Sequence, residues 1–264
     1  MANVVDWSIL RQNTIMAAQR IDFYSPSYWD KEAHAVNQTQ PHWVELTKTQ
    51  LKQLPINDQV SVLDVGAGAG RLTLPIAKKA KHVTALEPSA KSLAAIEEAA
   101  KNQGLTNITC YNQSLETFSV SERYDLVFAS FSLFMYDLRE ALKKMDALAN
   151  RSVYLFVSAS PWLNPDMQKL VYGAPGYWSD FIFLYNILYE MDIAANVEIT
   201  DYTLKESYQD IAEASEKISA KFHIPQTKTA LLCKYLQGHL VEEDGMLWSI
   251  QKRKAATVWW NKNP

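Results

Sequence analysis

The run Val60-Ser61-Val62-Leu63-Asp64-Val65 breaks without transition into Gly66-Ala67-Gly68-Ala69-Gly70, and Arg71-Leu72-Thr73-Leu74 follows directly. A short β-branched run, three alternating glycines and then a helical pattern read as a buried strand, a tight turn and the start of a helix. In α/β proteins this junction is where a nucleotide binds. Glycine admits positive φ and removes the Cβ that would hold a ligand away from the backbone, and the first turn of a helix offers unpaired N–H groups. The loop is therefore expected to cradle a polar ligand at van der Waals distance.

The rest of the chain must supply a layered fold around that junction. Its 264 residues are enough for a full α/β core, with on the order of a hundred left over for a cap or insertion. A formal charge of −3 from 26 basic and 29 acidic residues, with no long run of either sign, gives no electrostatic footprint for nucleic acid. Cys110 and Cys233 lie far apart in apolar contexts and match neither a metal spacing nor a disulfide framework, so both are expected to be buried thiols. No clustered His, Asp or Glu set suggests a metal, and His42, His82 and His239 read as peripheral. With no basic leader, no apolar run at the start and no window long enough to span a bilayer, the expectation is a soluble cytoplasmic protein with no membrane partner.

In chain order, Trp7, Leu10, Thr14, Ala17 and Ile21 form one helical stripe. The aromatic, Pro-punctuated segment Phe23 to Asp30 leads into a short predicted helix, Lys31 to Gln38. Pro41 starts another helix, with Val44, Leu51 and Leu54 at helical spacing, that ends at Pro55. Beyond the glycines the pattern alternates. A helix from about Arg71 to Ala80 carries Pro75 in its first turn, which forces a late start or a local distortion. His82 to Glu87 reads as a second strand, and Ser89 caps a helix stopping at Gly104. Asn107 to Asn112, Tyr124 to Ser130 and Ser152 to Ser158 read as strands three to five, with a helix from Leu138 to Ala149 capped by Asp137. Val197 to Thr203 is a sixth. Two later helices follow, one carrying Tyr208, Ile211, Ser215, Ile218 and Phe222 and one running from Pro225 to Gly238. Met246 to Gln251 and Ala255 to Trp260, joined at Lys252-Arg253-Lys254, are expected to form a terminal hairpin.

The acid-G-x-G-x-G stretch Asp64-Val65-Gly66-Ala67-Gly68-Ala69-Gly70 resembles motif I of the class I S-adenosylmethionine-dependent methyltransferases. The competing dinucleotide fingerprint, G-x-G-x-x-G, would put its third glycine where Arg71 stands. The resemblance extends over about residues 60 to 158. It implies a Rossmann-like, seven-stranded, mostly parallel α/β sheet with an antiparallel terminal strand, helices on both faces and a helical cap. The expected division is an N-terminal helical cap over 1–56, a cofactor-binding core over 57–160, a substrate lid with late core elements over 161–244, and the hairpin over 245–264.

The resemblance also implies a cofactor, S-adenosyl-L-methionine, and a product, S-adenosyl-L-homocysteine. Asp64, Gly66, Gly68 and Gly70 are its first expected contacts. Glu87, at the end of the second strand, is an acceptor-only group placed to take two hydrogen bonds from a ribose diol. Pro88 is expected against the adenine. Ser114 stands where relatives often carry an Asp beside the adenine amine, and a hydroxyl accepts there more weakly, leaving more of that contact to the backbone of Leu115. Ser130 and Phe131 correspond to the tip of motif IV, which faces the methyl group. The Asn/Asp-Pro-Pro-Tyr/Phe tetrapeptide of adenine and glutamine methyltransferases is missing, and the loop reads Phe131-Ser132-Leu133-Phe134-Met135-Tyr136.

Residues 161 to 192 hold Trp162, Tyr172, Tyr177, Trp178, Phe181, Phe183, Tyr185 and Tyr189, a density that reads as a substrate lid hinged at Gly173-Ala174-Pro175-Gly176, as core packing, or as a homodimer contact. Tyr28 and Trp29 either touch the sulfonium or substrate or fix the N-terminal helices to the core. A general base is required only for an acceptor that carries a proton at neutral pH, and Tyr28, His34, Tyr136 and His223 are the candidates. The expected reaction is methyl transfer to a small aromatic or amphipathic molecule. Alternatives are methylation of RNA or protein, a cofactor-binding regulatory module without turnover, and last a nicotinamide oxidoreductase.

Overall fold

Both alternating sets of side chains along β1 (Ser61–Val65) are buried, Val62 and Leu63 completely, so this strand is covered on both faces as a central parallel strand must be. That property sets the architecture seen in the computed structural model, which describes residues 5–17, 30, 41–161, 164–173, 180–222 and 224–262. Two helices, α1 (Trp7–Ala17) and α2 (Pro41–Gln53), precede β1. Then come α3 (Thr73–Ala77), β2 (His82–Leu86), α4 (Ala90–Asn102), β3 (Ile108–Tyr111), β4 (Tyr124–Ser130), α5 (Leu138–Leu148) and β5 (Ala149–Ser158). The later elements are α6 (Pro165–Tyr172), α7 (Asp180–Glu190), β6 (Asn196–Tyr208), α8 (Ile211–Phe222), α9 (Thr229–Gln237), β7 (Val241–Glu243) and β8 (Met246–Asn261).

The sheet order is β3-β2-β1-β4-β5-β8-β6, with β7 paired antiparallel to β8. β1 is parallel to both β2 and β4, β2 to β3, and β4 to β5. From β1 the chain steps outward through β2 to β3, then returns to lay β4 on the other side of β1. The reversal opens a crevice at the carboxyl ends of β1 and β4, the place where doubly wound sheets bind ligands. The expected mixed sheet with antiparallel late strands is what forms.

The chain groups into two compact units, one from residues 1–157, 181–198 and 256–264, the other from 158–180 and 199–255. The first holds the parallel sheet. Leu72, Ile76 and Ala77 of the α3 segment pack with Val62, Val83, Leu126, Phe128 and Phe156 from four strands, while Leu93 and Ile96 of α4 pack on Ala67 and Ala85. The second unit has its own apolar cluster, in which Ala214 and Ile218 of α8 meet Leu232 and Leu236 of α9, with Met167 and Tyr208.

Several sequence expectations shift. The helix predicted over 71–80 is only Thr73–Ala77. Pro75 sits within it, and the Asn107 amide donates to the carbonyls of Ala77 (2.8 Å) and Ala80 (3.0 Å), ending the helix with a side-chain cap. The terminal hairpin predicted around Lys252-Arg253-Lys254 is not there: β8 runs through that triplet without a break. Nothing in it favours a turn, and Arg253 is held within its own strand by Gln251 (2.7 Å) and by the Pro161 carbonyl. The reversal lies earlier, at Asp244 (φ 52°) and Gly245 (φ 73°), a two-residue Asp-Gly turn joining β7 to β8. Cys110 and Cys233 are free thiols but only half-buried. Of the aromatic stretch over 161–192, Phe181 to Asp192 group with the parallel sheet's unit, where Phe183 meets Trp7 edge to face at 6.3 Å. Trp162, Tyr177, Trp178 and most of the hinge lie outside the described residues.

Candidate active site

The glycine elbow is built by three backbone strokes. The Leu86 carbonyl at the end of β2 accepts from the N–H of Gly66 (2.7 Å) and of Ala67 (3.1 Å), and Gly70 N–H closes a turn onto the Ala67 carbonyl at 3.0 Å. Gly66 has φ 73°, and a Cβ there would lie 2.4 Å from the Ser132 Cβ, so this position needs glycine for both conformation and space. Ser132 also donates to the Val65 carbonyl at 2.5 Å, tying the loop after β4 to the end of β1. At Gly68 (φ 53°) a Cβ would project into open space. That gap is a backbone cradle which any side chain would fill.

Glu87 closes the cradle's other side. Its Oε2 accepts from Gly68 N–H and its Oε1 from Ser89 N–H, each at 2.9 Å, so the carboxylate bridges the end of β2 to the elbow. Each oxygen keeps a second lone pair for a ligand hydroxyl. Burial pushes the Glu87 carboxyl above its usual range, the two backbone N–H bonds oppose the shift, and the Asp30 charge adds to it. Ser89 caps α4 by accepting from Ser92 N–H at 3.2 Å and donates to Asp30 at 2.7 Å. Asn112 donates to the carbonyls of Glu87 (3.2 Å) and Pro88 (2.8 Å), fixing the backbone on which the carboxylate stands.

Asp64 lies beneath the elbow. It is 2% exposed, accepts from the Thr73 hydroxyl at 2.6 Å and so anchors the start of α3 to β1. Burial raises its pKa to about 7, against the lowering effects of the Thr73 bond and the Arg71 charge. Ser114 is half-buried, within 3.5 Å of the Thr117 hydroxyl, and Leu115 is buried beside it.

At the end of β4, Phe131 takes φ 53°, a conformation costly for a residue with a Cβ, and its N–H donates to the Phe156 carbonyl at 2.8 Å. Its ring meets Trp43 of α2 edge to face, with centroids 5.9 Å apart. Arg71 lies over the Trp43 ring at 5.0 Å and donates to Thr47 (2.8 Å) and Ser130 (2.7 Å). From α1, Arg11 donates to the carbonyls of Leu133 (3.0 Å), Met135 (2.8 Å) and Tyr136 (3.3 Å), which holds the loop after β4 from behind.

The structure thus gathers Asp64, the three glycines, Glu87, Ser130 and Phe131 at the carboxyl ends of β1, β2 and β4. Among the candidates for a base, Tyr136 is 44% exposed with its backbone carbonyl engaged by Arg11, while Tyr28, His34 and His223 lie outside the described residues. Arg11, Trp43, Thr47, Gln50, Arg71 and Asn112 were not among the residues singled out in the sequence as site groups. For three of them a signal existed: Trp43, Thr47 and Gln50 recur at helical spacing along α2 and carry polar groups onto an inward face. Val44, by contrast, predicted on the buried stripe, is 40% exposed. Among the described residues no group of three or more His, Cys, Asp or Glu side chains is placed to hold a metal, and no helix is long and apolar enough to cross a membrane.

Residues 62–151 match the family model described as a methyltransferase domain. Over 97% of its length and 97% of the other's, the chain is 25% identical to an uncharacterized protein of Haemophilus influenzae. A 23S rRNA (uracil-C5)-methyltransferase of Klebsiella pneumoniae is 31% identical across 35% of this chain and 20% of that one. Among solved structures, the YcgJ protein of Bacillus subtilis superposes with a TM-score of 0.60 at 12% identity, covering 84% of this chain and 99% of the other, a likeness of fold.

Proposed function

We propose that this chain, an S-adenosylmethionine-dependent methyltransferase whose residues 62–151 match a methyltransferase domain, methylates a small aromatic or amphipathic molecule. The cofactor's residues are assigned from the fit between its parts and the cradle. The open space over Gly68 admits a ligand against bare backbone, and the spare lone pairs of Glu87 suit the ribose diol. Pro88, Ser114 and Leu115 are proposed beside the adenine. Gly66 and Gly70 shape the elbow, and Asp64 acts from below by holding Thr73 in place.

The bound cofactor supplies an activated sulfonium methyl. What this chain's residues must do is hold the acceptor in line and keep water out. Ser130 and Phe131 form the floor of that position, and Arg11 fixes the loop that carries it. An acceptor that carries a proton at neutral pH would need a base, for which Tyr28, His34, Tyr136 and His223 are the proposed candidates.

The observation that supports the small-molecule reading is the edge-to-face pair of Phe131, at the tip of β4, and Trp43 of α2, aromatic rings beside the loop proposed to face the methyl group. The absence of a long basic run from the sequence agrees with it. The test is to incubate the full chain with cofactor bearing a radiolabelled methyl group and a bacterial extract, then separate the products. Label in the low-mass organic fraction is the expected result. Label confined to RNA or protein would overturn the small-molecule reading while leaving the enzyme class intact.

A further inference from the structure

β3 is the last strand at one side of the sheet, and among the described residues no strand lies beyond it. The N–H groups of Val83 and Glu87 donate to the carbonyls of Asn107 (2.9 Å) and Tyr111 (3.1 Å), so alternate positions of β3 face β2 and the backbone groups of Ile108 and Cys110 face outward. Such an edge is a template for another strand unless charge or proline blunts it. β3 carries neither.

Beside that edge lies a groove of about 400 Å³. Ile96 and Ala100 of α4 and Ile108 and Cys110 of β3 line it, and the exposed Glu97 and Lys101 stand at its rim. These two charges are spaced i, i+4 with the acid first, the arrangement that favours an ion pair along one helix. They make none, and among the described residues neither has another salt-bridge partner. Ala90, Ala94, Glu97, Lys101 and Gly104 recur at helical spacing, so this flank is charged in the middle and small at both ends. Nothing lies within 4 Å of the place that a Gly104 Cβ would take.

We propose that this flank binds a second copy of the chain about a two-fold axis, with β3 antiparallel to the partner's β3 and α4 antiparallel to the partner's α4. An isologous contact exchanges its residues pairwise. An axis level with the midpoint of Glu97 and Lys101 therefore sets Glu97 against Lys101 of the partner subunit, and Lys101 against Glu97 of the partner subunit. By the same count Ala94 meets Gly104 of the partner subunit, two positions with no bulk to hold the helices apart. Because Ile96 and Ala100 share the groove with Ile108 and Cys110, that axis passes beside Thr109. Ile108 then lies opposite Cys110 of the partner subunit, and their outward backbone groups meet as hydrogen-bonded pairs. The spacing agrees as well. Leu93 and Ile96 of α4 pack with Ala85 of β2 and with Ile108 and Cys110 of β3, so the helix lies over the gap between those strands. Strands about 4.8 Å apart then put the two α4 axes about 10 Å apart, the separation of packed helices. A small apolar ligand would fill the groove but leave both charges and the strand edge unanswered.

The experiment is analytical ultracentrifugation of the full chain over a concentration series, as wild type, Lys101→Glu, Glu97→Lys and the double change. The wild type is expected to dimerise at concentrations on the order of tens of micromolar, as suits an interface of modest size. Each single change sets like charges opposite one another at two symmetry-related places and should weaken the dimer by about tenfold or more, whereas the double change restores opposite charges and recovers association. A second measurement reads the strand edge. In a chain with Cys110 and Cys233 changed to Ala, Thr109→Cys should give a disulfide-linked dimer on mild oxidation, because opposed residues at such a pair stand about 4.5 Å apart at Cα. A wild type that stays monomeric throughout leaves the groove to another occupant and overturns the proposal. So does a dimer that the single changes leave intact, one that the double change does not recover, or one in which Thr109→Cys fails to cross-link. None of these readouts uses the cofactor, so the enzyme reading stands or falls separately.

Discussion

At the scale of single residues, two groups carry consequences that can be measured. Gly66 combines φ 73° with a Cβ position 2.4 Å from the Ser132 Cβ, so Gly66→Ala must both strain the backbone and displace the loop after β4. A loss of about 2–4 kcal/mol in denaturant unfolding is expected, and a loss under 0.5 kcal/mol, of the order of a tolerated surface change, would contradict the close approach. Asp64 has its pKa raised from 3.8 to about 7, chiefly by burial. The unfolded chain ionises first, so this group's contribution is fully present below the unfolded value and is lost as pH rises through the folded one. Stability of the wild type relative to Asp64→Asn should therefore fall between 3.8 and about 7. A difference that stays flat across that window would show that the carboxyl is not buried as described. Glu87 shifts the same way, but its use is in binding. An acceptor needed as a carboxylate fails on protonation, so ligand affinity should decline on acidification earlier than an ordinary glutamate would allow.

At the scale of elements, α1 is a brace. A single Arg11, 5% exposed, serves three loop carbonyls more than a hundred residues away in sequence. In Arg11→Met the amides of Phe134 to Tyr136 should exchange with deuterium at least several-fold faster, while β1 and β2 remain protected. Uniform protection in the loop would mean that α1 does not hold it. The same scale shows why some sequence expectations held and others did not. β4 was legible as Tyr124–Ser130 because Leu126 to Ala129 form a continuous apolar run of the kind a central strand needs, and α4 because Ser89 announces its start. The terminal hairpin was misplaced because a run of three basic residues is weak turn chemistry next to the Asp-Gly pair at 244 and 245. α3 was overestimated because periodicity cannot reveal a remote cap such as Asn107. The inward face of α2 was misjudged at Val44 because Gln50 and Thr47 answer to Arg71 and Ser130, partners that only the fold brings within reach.

At the scale of the molecule, the order β3-β2-β1-β4-β5-β8-β6 is what turns separate sequence motifs into one site. The glycines and Glu87 are some twenty residues apart, yet parallel pairing of β1 with β2 brings the Glu87 carboxylate to 2.9 Å from the Gly68 N–H. The motif order along the chain made the elbow and its carboxylate readable in advance, since Asp64, Glu87 and Ser130 stand at or beside the ends of their strands. The packing of α1, α2 and the β4 tip around the loop after β4 was not, because Arg11, Trp43 and Phe131 come together from parts of the chain with no fixed spacing. The claim on which the account depends is that elbow and carboxylate grip one ligand together. Calorimetric titration of S-adenosylhomocysteine into wild type, Gly68→Val and Glu87→Ala tests it most directly. The account predicts micromolar-range binding by the wild type and a loss of about tenfold or more in each variant; equal affinity in all three folded proteins would contradict it.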